Sequence, residues 1–377
     1  MHDLNRIRRD LYESLSLDKH PVAVLLGAGC PVSVRISDGK GNSIPLIPDI
    51  KGLTSLIDRA MAKEERYQLL LNQFKEDDRS AYTLEDLLSQ VRLLARIVGN
   101  GKARGLAKED LQELETKLSQ KIAEAVSPSL PESKTAYHQL ADWAGAIQRQ
   151  SPVHFFTTNY DLLLEQALEE LSRPYFDGFV GGRQPFFDLR AIEDDAIPGR
   201  WSRLWKLHGS VNWRLMDNGD VIRTMEDLNA GQLLIHPSEL KYDQSRRMPY
   251  LAMIDRLRDF LRKPSAFLIT IGYSYADDHL NEILLQGFRA NPTSAGFGLL
   301  YKNLDEETNA ERLITKVPPN LTLVARDKGV VRGSTAQWTT PESQTDEKTV
   351  TTELGDFAYF GAFLSGLSSS PEGRNHA

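Results

Sequence analysis

The chain has 377 residues, 41% of them hydrophobic and 26% charged, a balance that suits a soluble globular protein of one large or two modest domains. Its 52 acidic against 45 basic residues leave a formal net charge of −7, which argues against a non-specific polyanion binder, and no direct nucleic-acid partner is expected. The single cysteine, Cys30, excludes an intramolecular disulfide and any zinc site with two or more thiolates. No His-Glu-x-x-His pattern offers a metal site instead; His279 and Glu282 come nearest and read as two polar residues near a helix start, so no metal ligands are assigned. No stretch approaches the roughly 18 uninterrupted apolar residues of a membrane span. The charged Met1–Asp10 carries no apolar signal region, and a cytoplasmic location is expected.

Leu4, Ile7, Leu11 and Leu15 mark a helix face. The run Pro21–Leu26 then predicts a fully buried strand closed by Gly27-Ala28-Gly29, followed by a Gly-, Ser- and Pro-rich loop to Gly52. Residues 54–150 change character. Leu84, Leu87, Leu88, Val91, Leu94 and Val98 form one helical stripe, opened by Thr83 and Asp86 in a capping-box position. Leu111, Leu114, Leu118, Ile122 and Ala125 form a second, with Glu113 and Lys117 paired one turn apart. Tyr137, Leu140, Ala141, Ala144 and Ile147 form a third. No strand is predicted among them, so 54–150 reads as a helical insertion in an α/β core.

Val153-His154-Phe155-Phe156 predicts a buried strand, and Leu162, Leu163, Leu164, Ala167 and Leu168 a helix, with Thr157-Thr158-Asn159-Tyr160-Asp161 between them. That polar cluster falls at a strand's carboxyl edge, where open α/β sheets place ligands, although Asn159 or Asp161 could equally cap the helix. Residues 172–202 read as loop-rich, 204–209 as a short strand stopping at Gly209, and 211–236 as short β-like pieces including Leu233-Leu234-Ile235. An amphipathic helix is predicted over 249–262, a strand over Ala266–Ile271, and a helix from Asp277–Asp278, whose aspartates read as caps. Further strands are expected at 298–301 and 321–324 with a helix at 305–314 between them, then a loose polar stretch at 326–352, a closing helix at 357–367 and a disordered tail at 368–377.

The alternation of buried strands and helices predicts an α/β, Rossmann-like, doubly wound and mostly parallel sheet with a large helical insertion and no zinc module. The core is expected over 1–53 and 151–325, split by the insertion 54–150 and followed by 326–377. Three chemistries stand at strand ends. Gly27-Ala28-Gly29 is half of a dinucleotide fingerprint, since Val32 replaces the third glycine, and by itself is more often just a turn. His208 precedes a glycine and titrates in the range of a general base, though a lone histidine is more often structural. Ser274, Asp277 and Asp278 follow a third strand and could hold a ribose or simply cap a helix.

Gly27-Ala28-Gly29 with Ser33 and Ile47-Pro48-Asp49, then Thr158-Asn159-Tyr160-Asp161, Leu207-His208-Gly209 and Gly272-Tyr273-Ser274 stand in the order of sirtuin motifs, and the chain resembles that family. Without the four-cysteine zinc module of the deacylases, and with a longer loop between Gly29 and Pro48, it is most similar to the zinc-free sirtuin-like branch of bacterial antiphage defence, which typically hydrolyses NAD⁺. Within that branch it looks most like members paired with a HerA-type ATPase. The resemblance implies NAD⁺ as substrate, no zinc, cleavage to ADP-ribose and nicotinamide, a homo-oligomer, and activity gated by assembly. It also implies roles. Asn159 would orient ribose hydroxyls or water, His208 would accept a proton, and Asp161 would hold the nicotinamide end. Gly27, Ala28 and Gly29 would carry the pyrophosphate; Ser33, Asp49, Thr158, Gly272 and Ser274 would complete the binding set. The alternatives are an NAD-dependent deacylase or ADP-ribosyltransferase, and a non-catalytic NAD⁺- or ADP-ribose-binding subunit.

Overall fold

A computed structural model describes residues 1–16, 18, 20–76, 82–146, 149–224, 232–235, 248–340 and 350–369. Its centre is a set of parallel strands: β1 (Val22–Leu26), β2 (His154–Thr157), β3 (Ser202–Lys206), β4 (Phe267–Ile271), β5 (Ala295–Leu299) and β6 (Leu321–Val324). In β1, Val22, Val24 and Leu26 belong to the apolar core on one face of the sheet, and Ala23 and Leu25 to the core on the other. Successive side chains point to opposite faces, so a strand covered on both sides must be apolar throughout.

The spatial order is β6-β5-β4-β1-β2-β3, parallel at every step, inside a ten-stranded sheet. From β1 the chain moves outward through β2 and β3, then returns to the other side of β1 for β4, β5 and β6. The direction of winding reverses at β1, which places a crevice at the carboxyl ends of β1 and its two neighbours. This is the Rossmann-like, doubly wound sheet expected from the sequence.

The longer helices among the described residues are α1 (Leu4–Ser16), α2 (Ile50–Ala60), α3 (Glu65–Glu76), α4 (Leu84–Ile97), α5 (Lys108–Ala125), α6 (Ala136–Ala146), α7 (Leu163–Glu170), α8 (Tyr250–Arg262), α9 (Asp278–Ala290) and α10 (Phe357–Ser369). The buried residues of α1 through α7 and α10 join one core, and those of α8 and α9 the other. The capping box of α4 forms as read: Thr83 Oγ1 accepts from the Asp86 N–H at 3.2 Å, and Asp86 Oδ2 accepts from the Thr83 N–H at 2.6 Å. A second bond, from the Leu84 N–H to Thr54 Oγ1 at 3.0 Å, ties the start of α4 to α2. Glu113 and Lys117 pair at 3.0 Å on α5. Arg92 of α4 reaches Glu115 of α5 at 2.7 Å.

The structure departs from the sequence reading in several places, among them the loop to Gly52, where Arg35–Ser37 pairs with Ser43–Pro45. A small hairpin, Lys102–Ala103 with Leu106–Ala107, interrupts the helical stretch where no strand is predicted. Residues 305–314 form short turns at Leu304–Glu306 and Thr308–Glu311, not one helix. At the start of this stretch the Lys302 N–H donates to Glu307 and the Leu304 N–H to Asp327. Within the stretch read as loose, Lys328–Val331 and Ser334–Thr339 are paired strands turning at Arg332-Gly333, both at positive φ, and Trp338 is buried. The loop-rich and β-like pieces at 172–236 include a five-stranded sheet of Phe179–Val180, Phe186–Phe187, Gly209–Leu215, Val221–Arg223 and Gln232–Ile235. Ile147, residues 341–349 and the tail at 370–377 lie outside the described residues.

Candidate functional site

Strand register brings the sequence motifs together. Leu26 of β1 pairs with Thr157 of β2 and with Ile271 of β4, and Thr157 pairs with Lys206 of β3. Four strands therefore end at one level. Gly27-Ala28, Thr158-Asn159, Leu207-His208 and Gly272-Tyr273-Ser274 emerge side by side at the switch point.

Backbone bonds lock these ends to one another. The Gly27 N–H donates to the Ile271 carbonyl at 2.9 Å, the Gly29 N–H to Gly272 at 2.8 Å, the Thr158 N–H to Leu26 at 3.2 Å, and the Leu207 N–H to Thr157 at 2.8 Å. Asn159 is held from two sides. Its N–H donates to Thr157 Oγ1 at 3.0 Å, and its amide Nδ2 donates to the Gly27 carbonyl at 3.0 Å. A carbonyl can only accept, which fixes the orientation of the amide and leaves Oδ1 as its acceptor.

Around these ends lies a cavity of about 190 Å³. Its inner wall is Ala28, Thr158, Asn159, Tyr160, Asp161 and His208, with Tyr273, Ser274 and Asp277 beside them. Its outer wall comes from Ile47, Pro48, Ile50 and Leu53 at the start of α2, Glu85 at the start of α4, and Val126 after α5. The enclosed space is below the roughly 300–1,000 Å³ of a pocket for a whole drug-sized ligand.

Asp161 lines the cavity from a buried position, 6% exposed, where its Oδ1 accepts from the Leu163 N–H at 3.1 Å and so also turns the chain into α7. Lys206 of β3 is buried behind it, donating to the Asp161 carbonyl and to Glu165 Oε1 at 2.8 Å. Burial pushes the Asp161 carboxyl up to about 6, against the opposing pull of Lys206. Because the folded value lies above the ordinary 3.8, the contribution to stability is present below about pH 4 and is lost as the pH rises through about 6. Asp161→Asn keeps the acceptor for Leu163 and removes the charge. Relative to wild type it should therefore gain stability between pH 4 and 7, by on the order of 2–3 kcal/mol in denaturant titrations at the two pH values.

His208 Nε2 lies 3.1 Å from Asp277 Oδ2, while Asp277 Oδ1 accepts from the Leu280 N–H at 3.0 Å and caps α9. Tyr137 of α6 stands behind the site. Burial first, then the charge of Asp161, push its phenol well above the usual range. Burial likewise pushes up the Tyr160 phenol, helped by the charge of Glu85. Cys30 is buried, its thiol donating to the Ile271 carbonyl at 3.3 Å and raised by burial, which makes it a packing residue and not a nucleophile.

Of the residues singled out from sequence, Ala28, Thr158, Asn159, Asp161, His208 and Ser274 line this cavity. Gly27, Gly29 and Gly272 form the backbone beneath it. Ser33 and Asp49 are not on its wall: Ser33 Oγ donates to the Cys30 carbonyl at 2.8 Å, and Asp49, exposed, caps α2 through the Gly52 N–H at 2.8 Å. The sequence assigns no role to Glu85, Tyr160 or Tyr273, and for Asp277 it favours a helix cap over a ribose contact. Glu85 carries no signal beyond that of an acidic residue favoured in a helix's first turn.

Residues 153–316 match the model of the SIR2-like domain. The SIR2-like segment spans Asn159, Asp161, His208, Ser274 and Asp277 and covers less than half of the chain; Gly27–Gly29 lie before it. No curated protein matches. Among solved structures, a Sir2 homologue in complex with NAD is 13% identical, with 96% of this chain and 95% of that one covered and a TM-score of 0.42. A Sir2 bound to an acetylated peptide is also 13% identical, covering 81% of this chain and 96% of that one, with a TM-score of 0.35. Neither likeness, at a TM-score below 0.5, bears on function.

Proposed function

We propose that this protein is an NAD⁺ glycohydrolase, an effector of antiphage defence that depletes NAD⁺ once assembled with a HerA-type ATPase. The observation that carries the catalytic part is the convergence of Asn159, Asp161 and His208 on one cavity at the switch point, within a segment that matches the SIR2-like domain. The defence role and the ATPase partner rest on the motif resemblance.

The reaction suits these residue types. Nicotinamide leaves NAD⁺ as a neutral molecule, the bonding pair of the glycosidic bond passing to its ring nitrogen, through an oxocarbenium-like state at the ribose. No strong nucleophile is needed. The site must hold the ribose, stabilise positive charge and present a water. Asn159 Oδ1 accepts from a ribose hydroxyl or from that water. The cavity's carboxylates, Asp161, Glu85 and Asp277, favour a cationic group within it, and in this reading Asp161 takes the nicotinamide end. Water oxygen bonds to the anomeric carbon, and its proton passes to His208. The products are ADP-ribose, nicotinamide and one proton.

Turnover in ¹⁸O-labelled water tests this reading against transfer to another acceptor. The expected result, for the full chain with its assembly partner, is one ¹⁸O in each ADP-ribose and no requirement for an acylated peptide. Nicotinamide release that appears only with such a peptide would overturn it in favour of a deacylase. Because unrestrained NAD⁺ hydrolysis would kill a host cell, dilute isolated protein is expected to be at least about tenfold slower per subunit than the assembly. Equal rates across a dilution series would remove the gating.

A further inference from the structure

Asp277 stands at the start of α9, and both of its carboxylate oxygens are engaged. Oδ1 takes the Leu280 N–H at 3.0 Å; Oδ2 meets His208 Nε2 at 3.1 Å. The two side chains are close to buried, 12% and 8% exposed, so water competes weakly for this contact. An ionised carboxylate has no hydrogen to give. The ring nitrogen facing it must therefore carry the proton, and in the neutral imidazole the lone pair is left on Nδ1.

We propose that Asp277 is a positioning residue: it fixes His208 as the Nε2–H tautomer and so makes Nδ1 the nitrogen that accepts a proton during turnover. The first half rests on the contact geometry together with an ionised Asp277. The second rests on the hydrolase reading: the glycosidic bond breaks with its electron pair to nicotinamide, water oxygen bonds to the anomeric carbon, and the water proton goes to Nδ1. The cap is formed by the same side chain, so α9 and the ring share one anchor. An element on the far side of the sheet's switch point thereby sets the orientation of a residue that follows β3.

Long-range ¹H–¹⁵N correlation spectra of the full chain, labelled with ¹⁵N-histidine, read the tautomer directly; His208→Gln identifies the signal. At about pH 8 the wild-type ring is expected to show Nε2 bonded to hydrogen and Nδ1 bare. Asp277→Asn retains an oxygen for the Leu280 N–H, so the helix stays capped, but its amide now donates toward the ring and should invert the tautomer. In catalytic triads a wrong tautomer with intact geometry costs roughly 10⁴-fold in kcat. A loss of about 10²–10⁴-fold in kcat for nicotinamide release, with KM for NAD⁺ within about threefold, is expected here. A wild-type ring protonated on Nδ1, an Asp277→Asn variant with the wild-type tautomer and kcat, or a fall in kcat with the wild-type tautomer retained would each overturn the proposal. An inverted tautomer in a protein that releases no nicotinamide in any assembly would uphold the positioning and sink the hydrolase reading instead.

Discussion

Asn159→Ala is expected to reduce nicotinamide release from NAD⁺ by at least about 10³-fold while leaving the protein folded. The residue is only half-buried, and the strand before it is secured by its own ladder, so the fold does not depend on its side chain. The chemistry does. The residue is held at its backbone by Thr157 Oγ1 and at its amide Nδ2 by the Gly27 carbonyl. Such fixed dipoles act without reorganising as charge develops, and removing one typically costs about 10²–10³-fold. Loss of the ribose's alignment adds to that. Asn159→Asp is the sharper companion: a carboxylate cannot donate to the Gly27 carbonyl, so the side chain is pushed off its anchor. Steady-state release of nicotinamide, with circular dichroism and thermal unfolding as the check on folding, measures both. If Asn159→Ala and His208→Ala each keep wild-type rates, the site is elsewhere.

The largest expected effect on stability lies beneath the site. Gly27 and Gly272 pack backbone on backbone, with the Gly29 N–H bonded to the Gly272 carbonyl. A Cβ at Gly27 would lie 2.5 Å from Tyr273 Cα, a backbone atom that cannot swing away. A Cβ at Gly272 would lie 2.6 Å from the Cys30 nitrogen and 2.8 Å from its sulfur, and Gly272 has φ +62. A left-handed conformation costs an ordinary residue about 1–2 kcal/mol, and forced overpacking about 1–3 more. Gly272→Ala should thus lose about 2–5 kcal/mol in urea titrations, and Gly27→Ala about 1–3. Gly182→Ala, with nothing within 4 Å, should stay within about 0.5. The same pair that makes the loop tight enough for a ligand to approach makes it intolerant of any side chain.

These two predictions show how far the sequence could be read. The strand runs Val22–Leu26, His154–Thr157 and Phe267–Ile271 were legible because burial on both faces demands unbroken apolar residues. The polar islands after them were legible because a parallel sheet must end them at one edge. The register that aligns Leu26, Thr157, Lys206 and Ile271 was not, since pairing between strands far apart in the chain leaves no local mark. For the same reason Glu85 and Tyr137, from helices read only as apolar stripes, could not be placed near Asn159. Asp277 was read as a cap, and it is one; that its second oxygen reaches His208 across 69 positions is a tertiary fact. Ser33 and Asp49 lie off this cavity's wall because motif order says nothing of where an intervening loop points: both bind their own backbone neighbourhood. The hairpin at Lys328–Thr339 is hidden by polar residues on two strands whose large buried side chains are Val330 on one and Trp338 on the other.

The central claim is that four strand ends form one site for NAD⁺, and the most direct measurement is a crystal structure of the full chain soaked with ADP-ribose. The expected density places the ribose against Asn159 and His208, within the cavity bounded by Ala28 and Ser274, with the pyrophosphate over Gly27–Gly29. ADP-ribose bound anywhere else, with this cavity empty at saturating concentration, would contradict it.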